Sequence, residues 1–173
     1  MQLYLIRHPA PQVAAGICYG RTDLPLAADV AAAAARIAPQ LPPQLAVYTS
    51  PLQRCRRLAE ALHPAPRSDE RLQEMHFGEW ELQPWHLVQR AALDGWAADP
   101  LGYRPPLGES VAELQARVHD FVTEARREGV ERAVLVTHAG VIKVIVGQVR
   151  GLPARQWMAL QFAYESVIEA TLG

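Results

Sequence analysis

Two short apolar runs each end on a histidine, and those ends carry the residue types most able to do chemistry. LYLI at 3–6 runs into Arg7-His8, and AVLV at 133–136 runs into Thr137-His138-Ala139-Gly140. A third run, LAVY at 45–48, gives way to Thr49-Ser50-Pro51, with Arg54 one turn into the segment that follows. Two guanidiniums make a permanently charged fork that suits a phosphate or a carboxylate. Imidazole, neutral and nucleophilic near pH 7, can attack phosphorus. A second imidazole can hydrogen-bond the transferring oxygens and match the charge that the transition state spreads over them. Such chemistry asks for no divalent metal, but it needs a general acid to protonate the leaving alkoxide. Glu74, Glu79, Glu81 and Glu109 are the candidates.

A single histidine at a strand end is most simply a polar residue surfacing at a turn. Two such ends at equivalent positions in one sheet, with arginines beside the first and the middle strand, are a different matter. Short continuous apolar runs read as parallel strands buried on both faces. In open α/β sheets, ligands bind beyond the carboxyl ends of the strands. Arg7, His8, Arg54 and His138 are therefore expected to meet on one rim.

The segments between the runs read as helices. Residues 28–38 are alanine-rich and stop at Pro39. Residues 51–62 begin with Ser50 as the expected N-cap and Pro51 at the first helical position, and end before Pro64. In 110–128, Val111, Leu114, Val118, Phe121, Val122 and Ala125 share one face. Ser110 and Glu113 form a capping box there, and Gly129 closes the helix. A very apolar helix over 140–149 follows the 133–136 run, and SVIEATL at 166–172 reads as an edge strand. Strands alternating with helices predict an α/β three-layer sandwich, a mostly parallel central sheet with helices on both faces. No repeat or linker divides residues 1–173, so one domain is expected. The Trp-, Pro- and Gly-rich stretch 76–108 is expected to form an insertion or lid over one end of the sheet.

Composition narrows the function classes. A length of 173 residues, 50% hydrophobic and 20% charged, suits one soluble globular unit with a sizeable core. The formal net charge of −1 provides no field favouring nucleic acid or an anionic membrane. Cys18 and Cys55 make neither a disulfide framework nor a zinc motif. HExxH and paired CxxC patterns are absent, so no metal site and no cofactor is expected. Residues 1–7 lack a basic n-region and the apolar stretch is short, which fits a reducing, cytoplasmic compartment. Lys143 is the only lysine. His63, His86 and His119 read as surface or structural histidines, and Arg56 and Arg57 as solvated. Trp80, Trp85 and Trp96 fit either a core or the wall of an aromatic-binding pocket.

Five separated stretches, LIRHPAP at 5–11, TSPLQR at 49–54, LQEMHFGEWE at 72–81, PLGES at 106–110 and VTHAG at 136–140, occur in the order seen in the histidine phosphatase superfamily. The chain resembles that superfamily over nearly its whole length. CYGRTDLPL at 18–26 is most similar to members of the alpha-ribazole phosphatase type, linked to cobalamin assembly. The resemblance implies a phosphoglycerate mutase-like fold and a metal-independent phosphomonoesterase. It implies His8 as a nucleophile that becomes phosphohistidine, Arg7 and Arg54 as phosphate ligands, His138 as a stabiliser of the phosphoryl oxygens and Glu74 as proton donor. Arg21, Thr22, Glu109 and Ser110 are the corresponding substrate contacts, although helix capping explains Ser110 nearly as well. One departure stands out: where the family usually has Arg-His-Gly, this chain has Pro9. Proline offers no N–H and fixes φ, so phosphate must be held by side chains or by amides further along.

The expected partner is a small phosphate ester, with alpha-ribazole 5′-phosphate as a candidate and neither nucleic acid nor membrane involved. The oligomeric state is not legible. Three alternatives stand beside a phosphatase: a phosphoglycerate-type mutase, a non-catalytic phosphate-binding module on the same fold, and a metal hydrolase using His8, His76 and His138.

Overall fold

Alternation along two central strands builds the layers. A computed structural model describes residues 1–173, with strands β1 (Gln2–Arg7), β2 (Ala46–Thr49), β3 (Arg67–Ser68), β4 (Arg132–Thr137) and β5 (Val167–Thr171). The helices are α1 (Val30–Ile37), α2 (Gln53–Leu62), α3 (Arg90–Ala98), α4 (Val111–Arg127), α5 (Ala139–Val149) and α6 (Ala154–Trp157). Successive side chains of a strand point to opposite faces. Leu3 and Leu5 of β1, with Ala133 and Leu135 of β4, therefore enter one core with the apolar faces of α4 and α5. Tyr4, Ile6, Val134 and Val136 enter a second core with Ala33 and Ile37 of α1 and Cys55 and Leu58 of α2. Both faces are covered, which is why these strands are continuously apolar. Truncating a side chain such as the fully buried Leu5 to alanine costs about 2–5 kcal/mol.

The sheet order is β3-β2-β4-β1-β5. β1 and β2 each run parallel to β4, β3 is parallel to β2, and β5 pairs antiparallel with β1 at the edge. The expected three-layer α/β sandwich and the C-terminal edge strand are both present. β3, two exposed residues long, had no apolar signal to announce it.

Helix starts match the sequence unevenly. α4 carries the capping box of Ser110 and Glu113 in full. α1 is capped by Asp29, whose side chain accepts from the amides of Ala31 and Ala32. The expected start of α2 is corrected: the helix begins at Gln53, with Leu52 at the cap and no side-chain cap bond. Ser50 lies outside the helix and is fully buried, because its hydroxyl is drawn to His138.

The 76–108 stretch folds into short turns and α3 around a small aromatic core. Cys18, Trp80 and Val88 are its buried centre, with Phe77, Trp85 and Trp96 packed against them. Two backbone bonds tie the loop after β1 to this segment: the Cys18 amide donates to the Gln83 carbonyl and the Leu82 amide to the Cys18 carbonyl. Gly78 permits the turn, with φ +56° and backbone of Pro106 too close for any Cβ. No helix is long and apolar enough to cross a membrane.

Candidate active site

Sheet register brings the two histidines together. Arg7 lies opposite Thr137 in the β1–β4 pairing, and the His8 amide donates to the Thr137 carbonyl at 3.0 Å. The Ser50 amide donates to the Val136 carbonyl, so the carboxyl ends of β1, β2 and β4 are laced side by side. The rings of His8 and His138 stand edge-on with centroids 5.0 Å apart.

Proline at position 9 leaves intact the group that matters to His8. The imidazole Nδ1 lies 2.7 Å from the Pro9 carbonyl oxygen. A carbonyl only accepts, so Nδ1 carries the proton and the lone pair sits on Nε2. The His8 pKa is lowered to about 3, chiefly by burial, then by the positive charge of Arg54 and Arg7. His138 is pushed well below the ordinary value by burial, Arg54 and His8. Both rings are therefore neutral at physiological pH. His138 Nε2 is 2.8 Å from Ser50 Oγ and 3.4 Å from Cys55 Sγ.

The two flanking arginines lack an acidic partner. Arg54 is fully buried and donates Nη1 to the Thr22 carbonyl at 2.7 Å and Nη2 to the Gly20 carbonyl at 2.6 Å. Arg7 donates Nη1 to the Phe162 carbonyl and lies 3.9 Å from the centre of the Tyr164 ring. None of the nine ion pairs uses either guanidinium. Only three buried side-chain polar atoms have no hydrogen-bond partner, and two are Arg7 Nε and Arg54 Nε. A buried guanidinium without an anion is costly. Carbonyls and aromatic rings, and no internal carboxylate, face both guanidiniums.

Glu74 is held against the start of α5, at the backbone two residues past His138. Its carboxylate accepts from the Met75 amide at 2.9 Å and from the Gly140 amide at 3.1 Å, at the start of α5. The approach is so close that a Cβ at residue 140 would collide with Oε1. Glu74 and Arg7 line a cavity of about 400 Å³ whose walls include Phe77, Trp85, Trp96 and Lys143. The tryptophans thus divide: Trp80 fills a core, while Trp85 and Trp96 also wall the cavity.

The remaining expected contacts form a second network. The backbone amides of Arg21 and Thr22 and the Thr22 hydroxyl all donate to the Glu81 carboxylate. Arg21 also donates to Glu109 at 3.0 Å, and Arg117 reaches the same carboxylate at 2.6 Å. The Ser110 hydroxyl serves the α4 cap. No three His, Cys, Asp or Glu side chains gather in a metal-binding arrangement, so His76 does not complete a triad with His8 and His138.

Four residues at the site were not singled out by sequence. Ser50 had a signal, its place at the end of a strand parallel to the other two, but its capping propensity masked it. Tyr19 and Tyr164, whose hydroxyls meet at 3.0 Å beside the arginines, come from segments 145 residues apart and had none. Arg117 had only a weak signal, its place on α4 three residues after the buried Leu114 and four before the buried Phe121.

Residues 3–173 match the description of the histidine phosphatase superfamily (branch 1). The chain is 32% identical to the glucosyl-3-phosphoglycerate phosphatase of Mycolicibacterium vanbaalenii, over 92% of its own length and 78% of the relative's. It is 28% identical to the adenosylcobalamin/alpha-ribazole phosphatase of Escherichia coli, over 89% and 81% of the two chains. Among solved structures it superposes with a TM-score of 0.78 on a phosphoglycerate mutase of Thermus thermophilus. That protein is 33% identical, and the match covers 98% of this chain and 92% of the other.

Proposed function

Since the chain belongs to the histidine phosphatase superfamily, we propose that it hydrolyses a small organic phosphate monoester through a phosphohistidine on His8. The observation that carries this is the pair of unpartnered buried Nε atoms of Arg7 and Arg54 beside a neutral, tautomer-fixed His8. His8 Nε2 forms the bond to phosphorus as the ester P–O bond breaks, and protonated Glu74 gives its proton to the leaving alkoxide. Water then attacks the phosphohistidine, Glu74 takes the proton, and inorganic phosphate and free His8 result. Arg7 and Arg54 hold the phosphoryl oxygens through both steps. The 2.8 Å bond between His138 and Ser50 is one a bound phosphoryl oxygen would compete for. No step calls for a metal.

The 76–108 segment acts as the lid of this single domain and supplies aromatic wall to the substrate cavity. Arg21, Thr22, Glu109 and Ser110 support that wall from the loop after β1 and the start of α4. An ester with an apolar or aromatic portion fits the cavity, and alpha-ribazole 5′-phosphate is one such compound.

The test is a phosphate-ester panel, including alpha-ribazole 5′-phosphate and 3-phosphoglycerate, run in excess EDTA with His8→Ala as control. Hydrolysis in chelator, an acid-labile phosphoenzyme and a dead His8→Ala variant are expected. Loss of activity in EDTA overturns the metal-free route. Isomerisation of 3-phosphoglycerate faster than hydrolysis of any ester makes the protein a mutase, and phosphate binding without turnover makes it a binding module.

A further inference from the structure

Resting on that phosphatase reading, but selecting against its carboxylate-free candidate alpha-ribazole 5′-phosphate, we infer that Lys143 determines specificity by receiving a carboxylate carried on the phosphate ester. The cavity beside the phosphate site has fifteen lining residues, of which three are charged: Arg7, Glu74 and Lys143. The first two have roles in phosphoryl transfer. Lys143 has none, yet it is the chain's only lysine and stands in the first turns of α5, half-buried among apolar neighbours such as Val144 and Trp157.

Its ammonium is incompletely satisfied. Nζ donates to the Met158 carbonyl at 2.9 Å, and no carboxylate lies within ion-pair distance. Every ion pair in the protein is made by an arginine instead. An ammonium has three donors, so two remain for something that enters the cavity. Desolvation lowers its pKa, with Arg7 adding to the effect and Glu74 opposing it. A half-buried cation with no carboxylate in direct contact is better satisfied when an anion reaches it.

The chemistry of that anion follows from the count of charges. A single compact ammonium matches a monoanionic carboxylate. A second phosphate would bring about two negative charges to that one cation. Bidentate phosphate recognition is already supplied by Arg7 and Arg54. At about 400 Å³ the cavity has room for a substrate body between the two anionic ends, flanked by Trp85 and Trp96, whose rings stack 6.2 Å apart.

The experiment compares matched esters: phenyl phosphate with 3- and 4-carboxyphenyl phosphate, and glycerol 3-phosphate with 3-phosphoglycerate. The unmodified protein should favour the carboxylated member by roughly 10- to 100-fold in kcat/KM, the worth of a hydrogen bond to a charged group. Lys143→Met should bring that ratio close to one, mainly through KM, and Lys143→Arg should retain it. A purely structural role would lower both members of a pair together and leave the ratio unchanged. The same pairs titrated onto His8→Ala protein by calorimetry read the preference without turnover. No preference in the unmodified protein, a ratio unmoved by Lys143→Met, or equal or absent binding to His8→Ala overturns the role of Lys143. Hydrolysis of esters without carboxylate discrimination removes Lys143 alone, whereas carboxylate-selective binding with no hydrolysis of any ester removes the phosphatase reading instead.

Discussion

Four arginines near the site divide into two pairs with opposite surroundings. Arg21 and Arg117 share the Glu109 carboxylate, and both also donate to the Glu74 carbonyl. Arg7 and Arg54 meet only carbonyls and aromatic faces, and each leaves Nε unpaired. The side chain is the same in all four positions; the presence of one glutamate separates them. A guanidinium neutralised by an internal acid is scaffold, joining the loop after β1 to the start of α4. One surrounded by carbonyls keeps its charge available, and its burial is offset when an anion binds. What marks the proposed phosphate site is thus the absence of an acid, not the presence of arginine.

Arg54→Met tests this contrast most severely. Kinetics should show kcat/KM falling by roughly 100- to 1,000-fold, as when a preorganised charge-stabilising donor is removed. Stability should hold or rise, because an unpaired buried cation is exchanged for apolar volume. A large loss of stability in urea unfolding would place Arg54 with the scaffold arginines.

Acid titration probes the same contrast from the side of His8. Burial, Arg54 and Arg7 hold its folded pKa near 3, against 6.5 for the free side chain. Below pH 6.5 the unfolded chain binds a proton that the native chain refuses, so stability is full above that pH. It is lost as pH falls toward about 3, with a slope approaching ~1.4 kcal/mol per unit from this one group. His138 faces the same charges and adds to the effect. Urea unfolding between about pH 4 and 7 should therefore show a shallower slope in His8→Asn. An unchanged slope would mean that His8 is accessible to protons and the arginines are screened.

The scaffold pair is tested by Glu109→Gln. Glu109 is 13% exposed in its side chain and Arg117 15%, so both arginines lose a partly desolvated partner. A destabilisation of about 1–3 kcal/mol is expected, less than for a fully buried pair. The fall in kcat/KM should be smaller than for Arg54→Met. The reverse order of effects would make Glu109 and Arg21 direct substrate contacts.

Much of this was legible in the sequence, and the remainder was hidden for physical reasons. The runs ending at Arg7-His8 and Thr137-His138 showed their sheet positions, because only doubly covered strands are continuously apolar. The capping box at Ser110 was readable because it lies within four consecutive residues. The pairing of Arg21 and Arg117 with Glu109 was not, since it depends on side-chain reach across segments up to 88 positions apart. Pro9 misled in a particular way. Its missing N–H drew the eye, whereas the structure uses its carbonyl to orient His8.

Ser50 carries the smallest expected effect and the finest distinction. As a helix cap, its loss would cost about 1 kcal/mol of stability and leave chemistry alone. In the structure α2 starts three residues later without a side-chain cap, and the only amide near Ser50 Oγ is that of Leu52, at a long 3.4 Å. The strong contact is with His138 at 2.8 Å. Ser50→Ala should therefore lower kcat/KM about 3- to 10-fold, the worth of one neutral hydrogen bond, because His138 loses the group that orients it. Cys55 Sγ, 3.4 Å from the same nitrogen, remains as a weaker partner and limits the loss. Ser50→Thr, which retains a hydroxyl, should recover part of the activity. Unchanged kinetics with a lower melting temperature would return Ser50 to the capping role and leave His138 oriented by its burial alone.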